Sequence, residues 1–261
     1  MQVNFLTYRF NTVFIILLTF LLNSTFAQAE TIKVAVRWSK LPYINSDDNS
    51  GFELEIINEV FNKLGYQTKY SYSPYEDAIH MVKHGQADLA LTLNNHSSVV
   101  PEFLSDVYIT YQNVGLTLKR KNIKIKQIQD LSQLSIIGFQ SANKALGKDF
   151  TDMVNSNSLY IEMADQRKQV ELFLQGQVDA IILDINIFDY LSSELRGSNQ
   201  LNNVDIHPLF PLNPYRAGFT DKLLKQKFNQ ELQKYLASSQ YQTLKEKYKI
   251  KQISPLFSAT N

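Results

Sequence analysis

Residues 52–93, FELEIINEVFNKLGYQTKYSYSPYEDAIHMVKHGQADLALTL, change hydrophobic period three times. Ile56, Ile57, Val60, Phe61 and Leu64 recur at steps of three and four, the apolar stripe of a helix, and Gly65 stands where a left-handed C-terminal cap is wanted. Thr68 to Tyr72 follows with a strand pattern. Ala78, Ile79 and Val82 then give Tyr75 to Lys83 a second helical stripe, capped by Gly85, before the mostly apolar strand Leu89 to Leu93. Upstream, Ile32 to Val36 (IKVAV) is a buried-type strand, and the loop Trp38 to Gly51 carries Pro42 and an Asp-Asp-Asn-Ser-Gly turn. Strands alternating with helices imply a parallel sheet covered on both faces.

The same order recurs downstream. Strand Leu134 to Phe139 leads through the small-residue loop Gln140 to Asn143 into a helix carrying Leu146, Phe150 and Val154. Strand Leu159 to Met163, helix Gln166 to Leu174 and strand Val178 to Leu183 complete the unit. At equivalent places stand Gly85-Gln86-Ala87-Asp88-Leu89-Ala90 and Gly176-Gln177-Val178-Asp179-Ala180-Ile181, each a helix end, a glycine cap and a strand start. Asp88 and Asp179 read as turn chemistry, and two copies imply two similar lobes. Tyr108 to Lys119 is an extended crossing segment, and Pro208 to Thr220 a returning one. Two terminal helices, striped by Leu224, Phe228, Leu232 and Leu236 and by Tyr241, Leu244 and Tyr248, pack back on the first lobe. The expected organisation is 30–111 for the first part of lobe 1, 112–212 for lobe 2, 213–253 for the return to lobe 1, and 254–261 for a tail.

At the N-terminus, Val13 to Leu22 is an apolar run of ten residues between Arg9 and Ala27-Gln28-Ala29. A membrane span needs about 20 residues, so the run and its small-residue exit imply a secretory signal peptide cleaved after Ala29, with a retained N-terminal anchor as the competing role. Removing Arg9 with that segment leaves 25 basic against 25 acidic residues, a balance that disfavours nucleic acid as a partner. The chain has no cysteine, so an exported product would have neither disulfides nor thiolate metal sites, and no lipid-modified cysteine anchor.

Taken in order, IKVAV with Leu41-Pro42-Tyr43, GFELEIINEVFNKLGY, HGQADLALTL, SDVYIT, IKQIQDLSQLSIIGFQ, GQVDAIILD and SSQYQTLKEKYKI resemble the extracellular solute-binding proteins of family 3, the polar amino-acid transport type. The resemblance spans nearly all of the chain after Ala29. It implies an α/β, type II periplasmic binding protein-like fold: two parallel-sheet lobes joined by two hinge strands, closing on a small polar ligand that is handed to an inner-membrane ABC permease. It further implies a monomer in the periplasm that performs no catalysis and needs no cofactor.

The resemblance also implies a site. Asp184 corresponds to a carboxylate that receives a ligand ammonium, with a helix N-cap as the competing role. Ser141 and Asn143 lie in the loop that presents backbone amides to a ligand carboxylate, or are a plain strand-to-helix turn. Trp38, Tyr43 and Tyr75 supply aromatic walls, with core packing the alternative, and Thr92 and Asn94 offer hydroxyl or backbone groups. The family's Thr-x-x-Arg motif is replaced by Asn95-His96-Ser97-Ser98, and no arginine occurs between Arg37 and Arg120. Serine cannot replace a planar guanidinium that pairs two carboxylate oxygens. Three outcomes stay open: Arg37, whose competing role is a solvated strand end, takes over as anion clamp, the ligand lacks an α-carboxylate, or transport has been lost.

His80 and His84 are one helical turn apart without an evident third metal ligand, so no metal site is expected. Two other classes use the same scaffold. One is enzymes related to prephenate or arogenate dehydratases or to the sensor-like half of some lytic transglycosylases, the other a sensory or accessory protein acting on a membrane partner.

Overall fold

The computed structural model describes residues 29–73, 75–94 and 99–252, with Tyr75 and Glu76 given by their backbone alone. The apolar run Val13 to Leu22, the Asn95 to Ser98 segment, the Tyr75 side chain and the tail from 254 lie outside the described residues. The strands are β1 (Glu30–Arg37), β2 (Tyr66–Ser73), β3 (Leu89–Leu93), β4 (Leu104–Tyr111), β5 (Asn113–Leu118), β6 (Ile136–Phe139), β7 (Tyr160–Met163), β8 (Ala180–Asp184), β9 (Val204–His207) and β10 (Asn213–Phe219). The α-helices among the described residues are α1 (Phe52–Lys63), α2 (Tyr75–Lys83), α3 (Ala142–Ala145), α4 (Lys148–Ser156), α5 (Gln166–Leu174), α6 (Ile185–Arg196), α7 (Lys222–Leu236) and α8 (Ser239–Lys247).

Two five-stranded sheets result, ordered β2-β1-β3-β10-β4 and β7-β6-β8-β5-β9. The first combines parallel β1 and β3 with an antiparallel β10, and the second combines parallel β7, β6 and β8 with an antiparallel β5. Both sheets are therefore mixed. The antiparallel member of each is the strand that carries the chain across: β5 enters the second sheet directly from β4 through Gln112 alone, and β10 returns it to the first. Pro208 to Leu212 precedes that return, so the two crossings are close to Tyr111, which pairs with Asn213.

Both faces of each sheet are covered. Val34 and Val36 of β1 join the main core with Ile56, Ile57, Val60, Phe61 and Phe228, while Ala35 turns to Ala78, Ile79 and Val82 of α2. The aspartates of the repeated motif hold matching positions: Lys33 N donates to Asp88 Oδ2 at 2.7 Å, and Ser135 N and Oγ donate to Asp179 Oδ2 at 3.1 and 2.8 Å. Leu146 is not helical. Gly147, at φ 91°, breaks the expected helix into α3 and α4, so Phe150 and Met153 are buried in the second lobe's smaller core while Leu146 and Val154 pack against it partly buried.

Candidate functional site

The loop after β1 is tied to the start of α1 by its own backbone. Phe52 N and Glu53 N donate to the carbonyls of Pro42 and Tyr43, each at 2.9 Å, filling orphan helical amides without a side-chain cap. Gly51 makes this possible: at φ 118° it is left-handed, and a Cβ there would stand 2.4 Å from the Tyr43 carbonyl oxygen. Tyr43 and Glu53 are consequently positioned as one unit.

Glu53 lies on the apolar stripe of α1, one turn before Ile56 and Ile57, and is fully buried. Thr92 Oγ1 donates to its Oε1 at 2.7 Å, Tyr111 OH to its Oε2 at 2.7 Å, and Tyr108 OH also to Oε1. Two local irregularities bring these hydroxyls together. In β4 the pairing steps from Ile109 to Val107 while β10 advances one residue, which leaves Tyr108 bulged. Strict alternation would have put Tyr108 and Tyr111 on opposite faces. In β3, Thr92 is left-handed at φ 58°, an uncommon state for a β-branched residue, and Thr92 N donates to Tyr108 OH at 2.8 Å.

Asp184, 2% exposed, closes β8 and caps α6: Asn186 N and Ile187 N donate to Oδ1 at 2.9 and 3.1 Å. Tyr43 OH donates to the same oxygen at 3.0 Å, and Gln112 N donates to Oδ2 at 2.7 Å. A carboxylate offers about four lone-pair positions, so by this count only Oδ2 keeps acceptor capacity. Burial raises the Asp184 pKa, against the four hydrogen bonds that favour its charged form. Asn186 Nδ2 bonds both Tyr43 OH and the Lys251 carbonyl at 3.0 Å, and Lys251 Nζ pairs with Asp189.

Tyr43 stacks on Tyr111 with ring centroids 4.0 Å apart and planes 16° from parallel. The Lys40 ammonium stands 5.3 Å from the Tyr111 centroid. Burial first, then the charge of Arg37, lowers the Lys40 pKa to about 8, with Glu53 and Asp184 acting in the opposite direction. The phenols of Tyr43, Tyr108 and Tyr111 are all raised by burial and by these carboxylates.

Of the residues singled out in the sequence, Tyr43 and Asp184 touch, Thr92 joins them through Glu53 and Tyr111, and Arg37 lies within electrostatic reach of Lys40. Asn94 is partly buried just past β3. Trp38 is 60% exposed. Ser141 and Asn143 stand apart from this cluster. Their backbone amides donate to Glu162 Oε2 and Oε1 at 2.6 and 2.9 Å, so a side-chain carboxylate of the protein occupies them. Sequence reasoning missed Lys40, Glu53, Tyr108, Tyr111 and Glu162. Of these only Glu53 had a signal, a charge on an apolar helical stripe.

Cavities open beside the described elements. One of about 240 Å³ lies between β4 and the C-terminal helices beside Val107, Ile109 and Tyr241, and one of about 550 Å³ lies beside Lys119, Arg120 and Arg196. The first borders the Tyr43 and Asp184 cluster through Tyr108, Gln112 and Lys251, and the second is lined by none of its members. No group of three or more metal-ligating side chains converges among the described residues.

Several solved structures share the fold. The ligand-binding core of GluR0 in complex with L-glutamate aligns with a TM-score of 0.67 at 15% identity, over 85% of this chain and 99% of that one. The ancestral amino acid-binding protein AncCDT-1, a precursor of cyclohexadienyl dehydratase, aligns at 0.64 and 17%, over 84% and 94%. The amino acid ABC transporter substrate-binding protein AbpA from Streptococcus pneumoniae, bound to L-arginine, aligns at 0.61 and 19%, over 84% and 94%. No curated protein matches the chain by sequence. The family model described as bacterial extracellular solute-binding proteins, family 3, matches residues 32–251, and the chain belongs to that family.

Proposed function

We propose that this protein captures a small polar solute, an amino acid or a related amine or carboxylate, between its two lobes, and delivers it to an inner-membrane ABC permease without chemical change. Residues 1–29 are its secretory leader, and the mature chain works as a periplasmic monomer. Its lobes are 30–111 with 213–253, and 112–212. The contact that carries this reading is Tyr43 with Asp184: a loop beside the first sheet and the carboxyl end of a strand in the second supply adjacent polar groups next to the crossing strands. Carboxyl ends of parallel strands are where open α/β sheets bind ligands.

In this arrangement the two groups bond each other, so a ligand that inserts between them must first part the lobes. It then favours closure by touching both, and the closed form is what a permease reads. Arg37, Trp38, Tyr75, Thr92, Asn94, Ser141 and Asn143 complete the proposed lining.

The test is a thermal-shift screen against amino acids, amines, small carboxylic acids and short peptides. A ligand at 100 times its dissociation constant adds about 2.7 kcal/mol and raises the midpoint by several degrees. X-ray scattering on each hit should show a more compact particle. A hit that leaves the radius of gyration unchanged removes the closure mechanism.

A further inference from the structure

Two carboxylates and two cations meet at this junction, and their hydrogen-bonding capacity is unevenly used. Glu53 accepts from Thr92, Tyr108 and Tyr111, and Asp184 accepts from Tyr43, Gln112, Asn186 and Ile187, all uncharged donors. Arg37 is engaged within the protein. Lys40 differs. Among the described residues its ammonium forms no ion pair, and its side chain has only the face of Tyr111, itself fixed between Tyr43 and Glu53. A partly buried ammonium on an immobilised aromatic ring, with its donors unused, complements an oxyanion.

We propose that Lys40 is the anion-receiving residue of the interlobe site, and that the ligand carries a carboxylate or similar oxyanion which Lys40 pairs above Tyr111. This rests on the solute-binding reading and narrows it: Lys40, a position not singled out in the sequence, takes the part for which Arg37 was a candidate.

The placement has a pH consequence. Arg37, Glu53 and Asp184 are the charged groups acting on Lys40, and Tyr43, Tyr108 and Tyr111 are the titratable neighbours packed around it. The three phenols, raised by burial, stay protonated where Lys40 titrates, at about pH 8. Charge on Lys40 is lost as pH rises through that value, so an anion binds less tightly above it.

Calorimetric titration of the wild type, Lys40→Met and Lys40→Arg with L-glutamate, succinate, L-glutamine, L-arginine and putrescine, at several pH values between about 6 and 9, tests this. The expected result is that a carboxylate-bearing probe binds the wild type, that Lys40→Met weakens it about tenfold or more, and that Lys40→Arg keeps binding but loses the decline above pH 8. Equal affinity in Lys40→Met, or an undiminished decline in Lys40→Arg, overturns the role of Lys40. Binding of putrescine alone overturns the anion while leaving solute capture standing, and binding of no probe overturns both. Should Lys40→Met not fold, the pH profile of Lys40→Arg decides.

Discussion

The hydroxyl of Tyr43 lies 3.0 Å from Asp184 Oδ1 although the two residues are 141 positions apart in sequence. One belongs to the loop that feeds α1, the other ends β8 and caps α6, so this hydrogen bond bridges elements built around different sheets. Its acceptor is a buried carboxylate whose remaining partners are backbone amides, and Asn186 Nδ2 donates to the same hydroxyl at 3.0 Å.

Tyr43→Phe removes one donor from Asp184 and one acceptor from Asn186 while leaving the stack on Tyr111 in place. A lost hydrogen bond to a buried charged group costs about 1–3 kcal/mol, and urea denaturation should register a loss in that range. A variant as stable as the wild type would mean that the contact contributes nothing net.

Thr92 offers a way to separate backbone from side chain. Its hydroxyl serves Glu53, and its backbone is left-handed, which costs a residue with a Cβ about 1–2 kcal/mol relative to glycine. Thr92→Ala and Thr92→Gly lose the same hydroxyl, but only glycine relieves the backbone. Denaturation midpoints should therefore rank wild type above Thr92→Gly, and Thr92→Gly above Thr92→Ala. The reverse order of the two variants would remove the strain from the account.

The sequence showed the architecture because the repeated glycine, aspartate and apolar run mark the same turn in both halves, and Asp88 and Asp179 do hold equivalent backbones. Alternating helix and strand patterns could not show the mixed sheets. Their antiparallel members, β5 and β10, are fixed by where the chain crosses, not by local periodicity. The centre of the site was less visible because it depends on broken periodicity. The bulge at Tyr108 and the left-handed turn at Thr92 redirect side chains that regular strands would separate, and nothing in the local residue types marks either. Lys40 was passed over because a lysine in a loop ordinarily extends into water.

Glu162 makes a prediction about ligand binding. Its carboxylate accepts from Ser141 N and Asn143 N, and Tyr160 OH donates to it at 3.0 Å. If the ligand reaches those amides, as the proposed lining requires, Glu162 must withdraw first. Glu162→Ala removes the competitor, and carboxylate-bearing ligands should then bind up to about tenfold more tightly, while amines without a carboxylate are unaffected. An unchanged affinity measured by calorimetry would take Ser141 and Asn143 out of the site.

The two aspartates of β8 and its approach should respond to acid in opposite senses. Burial opposes ionisation of Asp179, but hydrogen bonds from Lys121 and Ser135 outweigh it and hold its pKa below the ordinary 3.8. Its stabilising contribution is present above that value and disappears as pH falls through the lowered folded pKa. Asp184 is raised above 3.8 by burial, so its folded form prefers the proton, and its ionisation weighs against folding at neutral pH. As pH falls through the raised folded pKa toward 3.8, that penalty is relieved. Asp179→Asn and Asp184→Asn, each compared with wild type by urea denaturation from about pH 3 to 8, should diverge. The wild type should lose its advantage over Asp179→Asn toward the acid end and gain relative to Asp184→Asn over the same descent. Differences that stay constant with pH in both pairs would show that neither carboxyl is shifted by its surroundings.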